Sequence, residues 1–164
     1  VLVLEEIQDN DGATNSGNTE ATSTFAMLIA AIGEAGGPTY QFQQINPQDG
    51  QDGGQPGGNI RIGFLYNPAR VGFLAGNHGN AITGTTVTCI AGQAKLDLNP
   101  GRVDPTNIAF QTSRKPLAGA FTFNGRTLYI IGVESVRDGE IMRIIDAASG
   151  VLKKRRGQRS PAAP

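Results

Sequence analysis

Hydrophobic and polar positions along this chain alternate in short stretches and only once repeat with the period of a helix. Val1-Leu2-Val3-Leu4 is a continuous apolar run ending in Glu5-Glu6, the pattern of a strand buried on both faces. Asp9-Asn10-Asp11-Gly12 breaks the run, and polar loop follows to residue 19. Over residues 21–35, Phe25, Leu28, Ile29 and Ile32 recur at helical spacing, and Gly36-Gly37-Pro38 ends the helix. Tyr40, Phe42 and Ile45 mark a strand over 39–45. The glycine- and proline-rich stretch 46–58 reads as loop. Ile60, Ile62, Phe64 and Tyr66 alternate in a strand over 59–66, which Asn67-Pro68 turns. Val71-Gly72-Phe73-Leu74 reads as its hairpin partner.

Beyond residue 75 the pattern weakens, with short strands expected near 86–91 and 94–98. Residues 117–123 and 127–131 then flank Asn124-Gly125, the strongest two-residue hairpin signal. After residue 133 two readings stay open. Ile141, Ile144, Ile145, Ala148 and Leu152 fit one helical face, and residues 140–145 and 151–154 equally fit strands around a turn.

Composition narrows the class. The 164 residues suit one domain. No apolar run approaches the roughly 20 residues of a membrane helix, and Cys89, the single cysteine, rules out a disulfide framework within the chain. A first residue of Val, with no basic segment leading into an apolar one, suggests a mature product, an excised domain or a fragment. Net charge is zero, but unevenly: residues 1–133 carry ten acids and seven bases, and residues 134–164 carry four acids and seven bases. Lys153, Lys154, Arg155, Arg156 and Arg159 crowd that tail, so a boundary is expected near residue 133.

Two features are suited to chemistry. Glu6 closes an apolar strand, and an acid at a strand's carboxyl end is well placed for a hard cation such as Mg²⁺. Glu5 competes for that role, because neighbouring strand residues face opposite ways. Ser113-Arg114-Lys115-Pro116 puts a guanidinium on a rigid turn, where it offers paired donors to phosphate oxygens. Asp49-Gly-Gln-Asp52 fits neither an EF-hand nor a Walker A loop and reads as a flexible rim. His78, the only histidine, sits in a Gly/Asn loop without an acid beside it. Cys89, flanked by strand formers, reads as a small buried residue.

Four segments carry a resemblance: Leu4-Glu5-Glu6-Ile7-Gln8-Asp9-Asn10-Asp11-Gly12, residues 57–68 (Gly-Gly-Asn-Ile-Arg-Ile-Gly-Phe-Leu-Tyr-Asn-Pro), Pro100-Gly101-Arg102-Val103-Asp104-Pro105-Thr106-Asn107, and the stretch from Ser113-Arg114-Lys115-Pro116 to Asn124-Gly125. In this order and spacing the chain resembles the endonuclease/exonuclease/phosphatase superfamily, in particular its secreted bacterial nucleases, over residues 1–131. The resemblance implies an α/β fold: part of a DNase I-like sandwich of mixed, largely antiparallel sheets with a flanking helix, its second half missing. A divergent basic tail, helix or hairpin and then disordered, would fill 132–164. It also implies Glu6 as ligand to Mg²⁺ (or Ca²⁺ or Mn²⁺), Arg114 on substrate phosphate, and Gln8, Asn59 and Arg61 toward substrate. The partner would be nucleic acid, DNA before RNA, or another phosphodiester, outside the cell and without a membrane.

The chain departs from that family after residue 131. Where the pattern continues Asn-Asn-His, it reads Gly132-Val133-Glu134, and the later aspartate- and histidine-bearing motifs are missing. The change of composition at the same place suggests frameshift or truncation. Expected, then, is a Mg²⁺-dependent nuclease or phosphodiesterase scaffold without catalytic histidines and inactive as this chain. The alternative is a non-catalytic binding or structural module whose basic tail holds polyanions, and the blandest expectation is an incompletely folded fragment.

Overall fold

Ile62, Phe64 and Tyr66 are buried on one side of a strand whose other side buries Leu65. A strand with no wet face needs a layer on each side, and the rest of the chain supplies them. The computed structural model describes residues 1–134, which cluster as the unit Val1–Glu134. The tail's expected helix or hairpin and its basic cluster lie outside the described residues.

In chain order the elements are β1 (Leu2–Ile7), α1 (Thr22–Glu34), β2 (Gln41–Gln44), β3 (Arg61–Tyr66), β4 (Gly72–Phe73), β5 (Val87–Ile90), β6 (Gln93–Leu96), β7 (Gly101–Arg102), β8 (Leu117–Phe123) and β9 (Arg126–Gly132). A 3₁₀ turn, Ile108–Phe110, precedes β8. One sheet has the order β1-β3-β2; a second centres on β8, with β9 on one side and β4 and β7 on the other. β5 and β6 form a separate two-stranded ribbon. All these pairings are antiparallel. The described residues are therefore mixed α and β, mostly antiparallel with one helix, which is compatible with the α/β class.

The sheets meet through aromatic side chains. Phe64 and Phe121 pack edge to face at 5.5 Å, with Tyr66 and Phe73 against the same Phe121 ring. On the other face of β3, Phe25 from α1 stacks on Phe42 at 4.6 Å and covers Leu65. The helix has no capping side chain of its own. Asn10 Oδ1 accepts instead from the backbone N–H groups of Ser23 (2.8 Å) and Thr24 (3.3 Å), so the loop after β1 fixes where the helix starts. At the other end the Gly37 N–H bonds to Ile32 O, and Gly36 takes φ +80°, the C-terminal geometry that Gly-Gly-Pro predicts. Asn124 and Gly125, both at positive φ, close the β8–β9 hairpin as expected.

Three expectations are corrected. Val1, Leu2 and Val3 are each about two-fifths exposed, because among the described residues β1 pairs with β3 alone and forms a sheet edge. The stretch 71–74 is not the hairpin partner of β3. Val71 enters the core between the sheets, and β4 pairs with β8, so residues 67–70 carry the chain across the sandwich. Cys89 is exposed, since the β5–β6 ribbon packs on β8 through Leu96 of β6 while β5 has no buried face.

Packing at the centre is tight enough to test. A Cβ at Gly63 would lie 2.5 Å from Cζ of the Phe25 ring, which is itself clamped against Phe42. Gly63→Ala is expected to lower stability by about 1–3 kcal/mol through overpacking. It should move the urea midpoint down without changing the slope, and an unchanged midpoint would refute the clamp.

Candidate functional site

Glu6 departs from regular strand geometry. The β1–β3 register shifts between Leu4 and Ile7, and Glu6 holds φ +59°, a left-handed conformation that costs a non-glycine residue energy. The bulge re-aims the side chain. Glu6, not Glu5, reaches Arg114 and forms an ion pair with its Nη2.

Arg114 stands between two acids. Its Nε lies 3.2 Å from Oε2 of Glu134, just past the end of β9. Gly54, at φ +86°, leaves room for the guanidinium: a Cβ there would sit 3.3 Å from Arg114 Cζ. Neighbouring Gln55 accepts a hydrogen bond from the Gln8 amide at 3.2 Å. Glu6, Gln8 and Arg114 thus gather around the glycine-rich loop.

A protonated Glu134 can donate to the Glu6 carboxylate. Burial first, and then the hydrogen bond to Glu6, push Glu134 up to about 7. That hydrogen bond from Glu134 is what chiefly holds Glu6 below its ordinary range, with Arg114 adding to it and burial opposing it. Glu134 Oε2 and Arg114 Nε are both buried with no well-formed hydrogen bond. Two hard oxygen donors in contact, one with an unsatisfied atom, suit Mg²⁺, which takes one or two carboxylates and fills its remaining positions with water and phosphate. Among the described residues no three His, Cys, Asp or Glu side chains converge on a closed metal cage.

Asn59 and Arg61, expected to point toward substrate, go inward instead. Asn59 is 6% exposed and Arg61 2%. The Asn59 amide donates to Asn18 O (2.6 Å) and Asp49 Oδ1 (3.0 Å), and its oxygen accepts from Gly50 N–H. Arg61 donates to Thr19 O (2.6 Å), Asn46 Oδ1 (2.7 Å) and Asn59 O (2.7 Å). Burial lowers it to about 10, so it stays charged at neutral pH and ties three loops together.

The glycine-rich loop, read as a flexible rim, has a buried anchor. Asp52 bonds Arg102 at 2.6 Å and lies 3.4 Å from Lys115 Nζ, which pins the loop to β7 and to the turn carrying Arg114. Chain patterning overlooked Glu134 as a site residue. Its signal was positional: it lies two residues past the end of β9. His78, exposed after β4, touches only Gly79 O, at 2.8 Å. Comparison with family models, curated proteins and solved structures returns no match for this chain. No helix of the described residues is long and apolar enough to cross a membrane.

The Glu134 proton makes stability depend on pH. Glu134 is raised from 4.5 to about 7, so the folded chain holds a proton that the unfolded chain releases in this window. Its contribution is full below 4.5 and lost as pH rises through about 7. Glu6 is shifted downward and acts below that window. Denaturation at about pH 5 and about pH 8 should show the parent losing more stability than Glu134→Gln, which keeps a neutral hydrogen-bonding group. An equal loss in both proteins would exclude that proton.

Proposed function

We propose that Glu6, Arg114 and Glu134 form a phosphodiester- and cation-binding site of the endonuclease/exonuclease/phosphatase kind, on part of a DNase I-like sandwich. One observation carries the reading: Glu6 and Arg114, 108 positions apart, meet as an ion pair on a bulged strand end. These are the two residues that the resemblance assigns to metal and to phosphate. The partner is nucleic acid, DNA before RNA, and an extracellular setting belongs to the same proposal.

The chemistry of the cluster supports it. A guanidinium offers two parallel donors that match phosphate oxygens. With its carboxylates unprovided for, Arg114 is their counter-charge; it can turn to a phosphate only when another cation balances them. Glu6 and Glu134 would hold that cation, Mg²⁺ or alternatively Ca²⁺ or Mn²⁺, which when bound would stabilise negative charge on the phosphate. Gln8 lies on the adjoining loop, where it can reach the substrate backbone.

Binding and hydrolysis separate in this chain. The only histidine, His78, is engaged with its neighbour's carbonyl in an exposed loop. A missing general base costs about 10²–10⁴ in rate. The 164-residue chain is expected to bind DNA in Mg²⁺ yet leave supercoiled plasmid uncut. Arg114→Ala should weaken binding by about tenfold, the order of one charged hydrogen-bonded contact. Nicking that disappears in Glu6→Ala would overturn the inactive reading. Binding that ignores Arg114→Ala, weakens steeply with salt and vanishes on deletion of 151–164 would replace the site with a polyanion-binding tail.

A further inference from the structure

The loop that borders Arg114 also walls a cavity. Gly54 faces the guanidinium, while Gln51 and Asp52, just before it in the chain, line a pocket of about 430 Å³, within the range of small-ligand sites. Lys115 lines the same pocket and is the neighbour of Arg114. One short turn thus presents its first cation to the candidate phosphate site and its second to this cavity.

The lining points to a class of ligand. Gln48, Gln51 and Gln111 stand around it without a side-chain hydrogen bond to any described residue. Each carries both a donor and an acceptor. Asn107 differs, since its amide bonds Asp104 and its oxygen caps the 3₁₀ turn. Ile82 and Ile108 line the pocket as well, 56% and 77% exposed, and offer bare apolar surface. At the base, the Asp52 carboxylate is shared by Arg102 at 2.6 Å and Lys115 at 3.4 Å, and Lys115 also donates to Phe110 O, so the ammonium is already engaged while the floor keeps one net positive charge. A cavity with free amides, apolar flanks and a floor whose ammonium is already hydrogen-bonded suits a ring with a hydrogen-bonding edge. Unpaired bases are read in this way, by amide donors and acceptors on their edges and by contact with their faces.

We infer that this pocket takes an unstacked nucleobase of a single-stranded segment whose backbone lies at Arg114. The inference rests on the phosphate reading of Arg114 but can fail separately from it. The test uses the full chain in Mg²⁺ and fluorescence anisotropy of two labelled strands with equal numbers of phosphates: a single-stranded DNA oligonucleotide and its fully abasic counterpart. The parent should bind the base-bearing strand about tenfold more tightly, within the range of one well-made base contact. Gln51→Ala with Gln111→Ala changes two exposed side chains. It should abolish this preference and leave abasic affinity unchanged. Arg114→Ala should weaken both strands by the same factor and keep the preference. An unchanged preference in the double glutamine variant overturns the base pocket and leaves the phosphate reading standing. A preference that survives alongside indifference to Arg114→Ala overturns the phosphate reading and with it the shared site. No preference in the parent, or no binding of either strand, overturns the inference.

Discussion

Double burial of β3 is the constraint on which this structure depends. A strand that exposes neither face to water must have apolar neighbours on both, and its backbone can be satisfied only by strands on both edges. β1 and β2 supply the edges, α1 covers Leu65, and β8 brings Phe121 against Phe64 and Tyr66. Gly63 belongs to the same constraint, because the Phe25 ring occupies the space a side chain would need. The helix position, the approach of the two sheets and the aromatic core follow from one strand.

Between these elements the chain is mostly loop, and buried charge rather than secondary structure orders it. Arg61 gathers carbonyls and amides from residues 19, 46 and 59. Asp52 holds Arg102 and Lys115 together. Such pairs add little net stability compared with apolar packing, because both charges lose water. Leaving one partner unpaired is far more costly. Their effect is to select a single loop arrangement, and the glycine-rich segment becomes a fixed wall between Arg114 and the glutamine-lined cavity.

At the candidate site the charges are deliberately close to balance. One guanidinium faces two acids, and Glu134, raised to about 7, offsets the difference as it takes up a proton below that pH. Under the proposed reading a proton and a divalent cation would serve the same electrostatic need there. The left-handed backbone at Glu6 is consistent with this use: strain of that kind persists where the surrounding structure fixes a side chain in one direction.

Periodicity and turn chemistry alone determined most of the elements. Residues 21–35, 59–66, and 117–131 around Asn124-Gly125 carry local signals strong enough to survive any packing. Glu6 and Arg114 were legible as chemistry because acid at a strand end and arginine on a proline turn are informative without partners. What packing decides was not legible. An apolar run such as Val1-Leu2-Val3-Leu4 looks the same in a central strand and in an edge strand, and Val71-Gly72-Phe73-Leu74 cannot state which sheet it joins. Asn59 and Arg61 could be placed inside only by the three loops that meet on them. Glu134 became a site residue only through the fold that sets it beside Arg114 and Glu6. Hydrogen bonding along a strand or helix is written in neighbouring residues, whereas burial and the pairing of distant charges belong to contacts that exist only once the chain has closed.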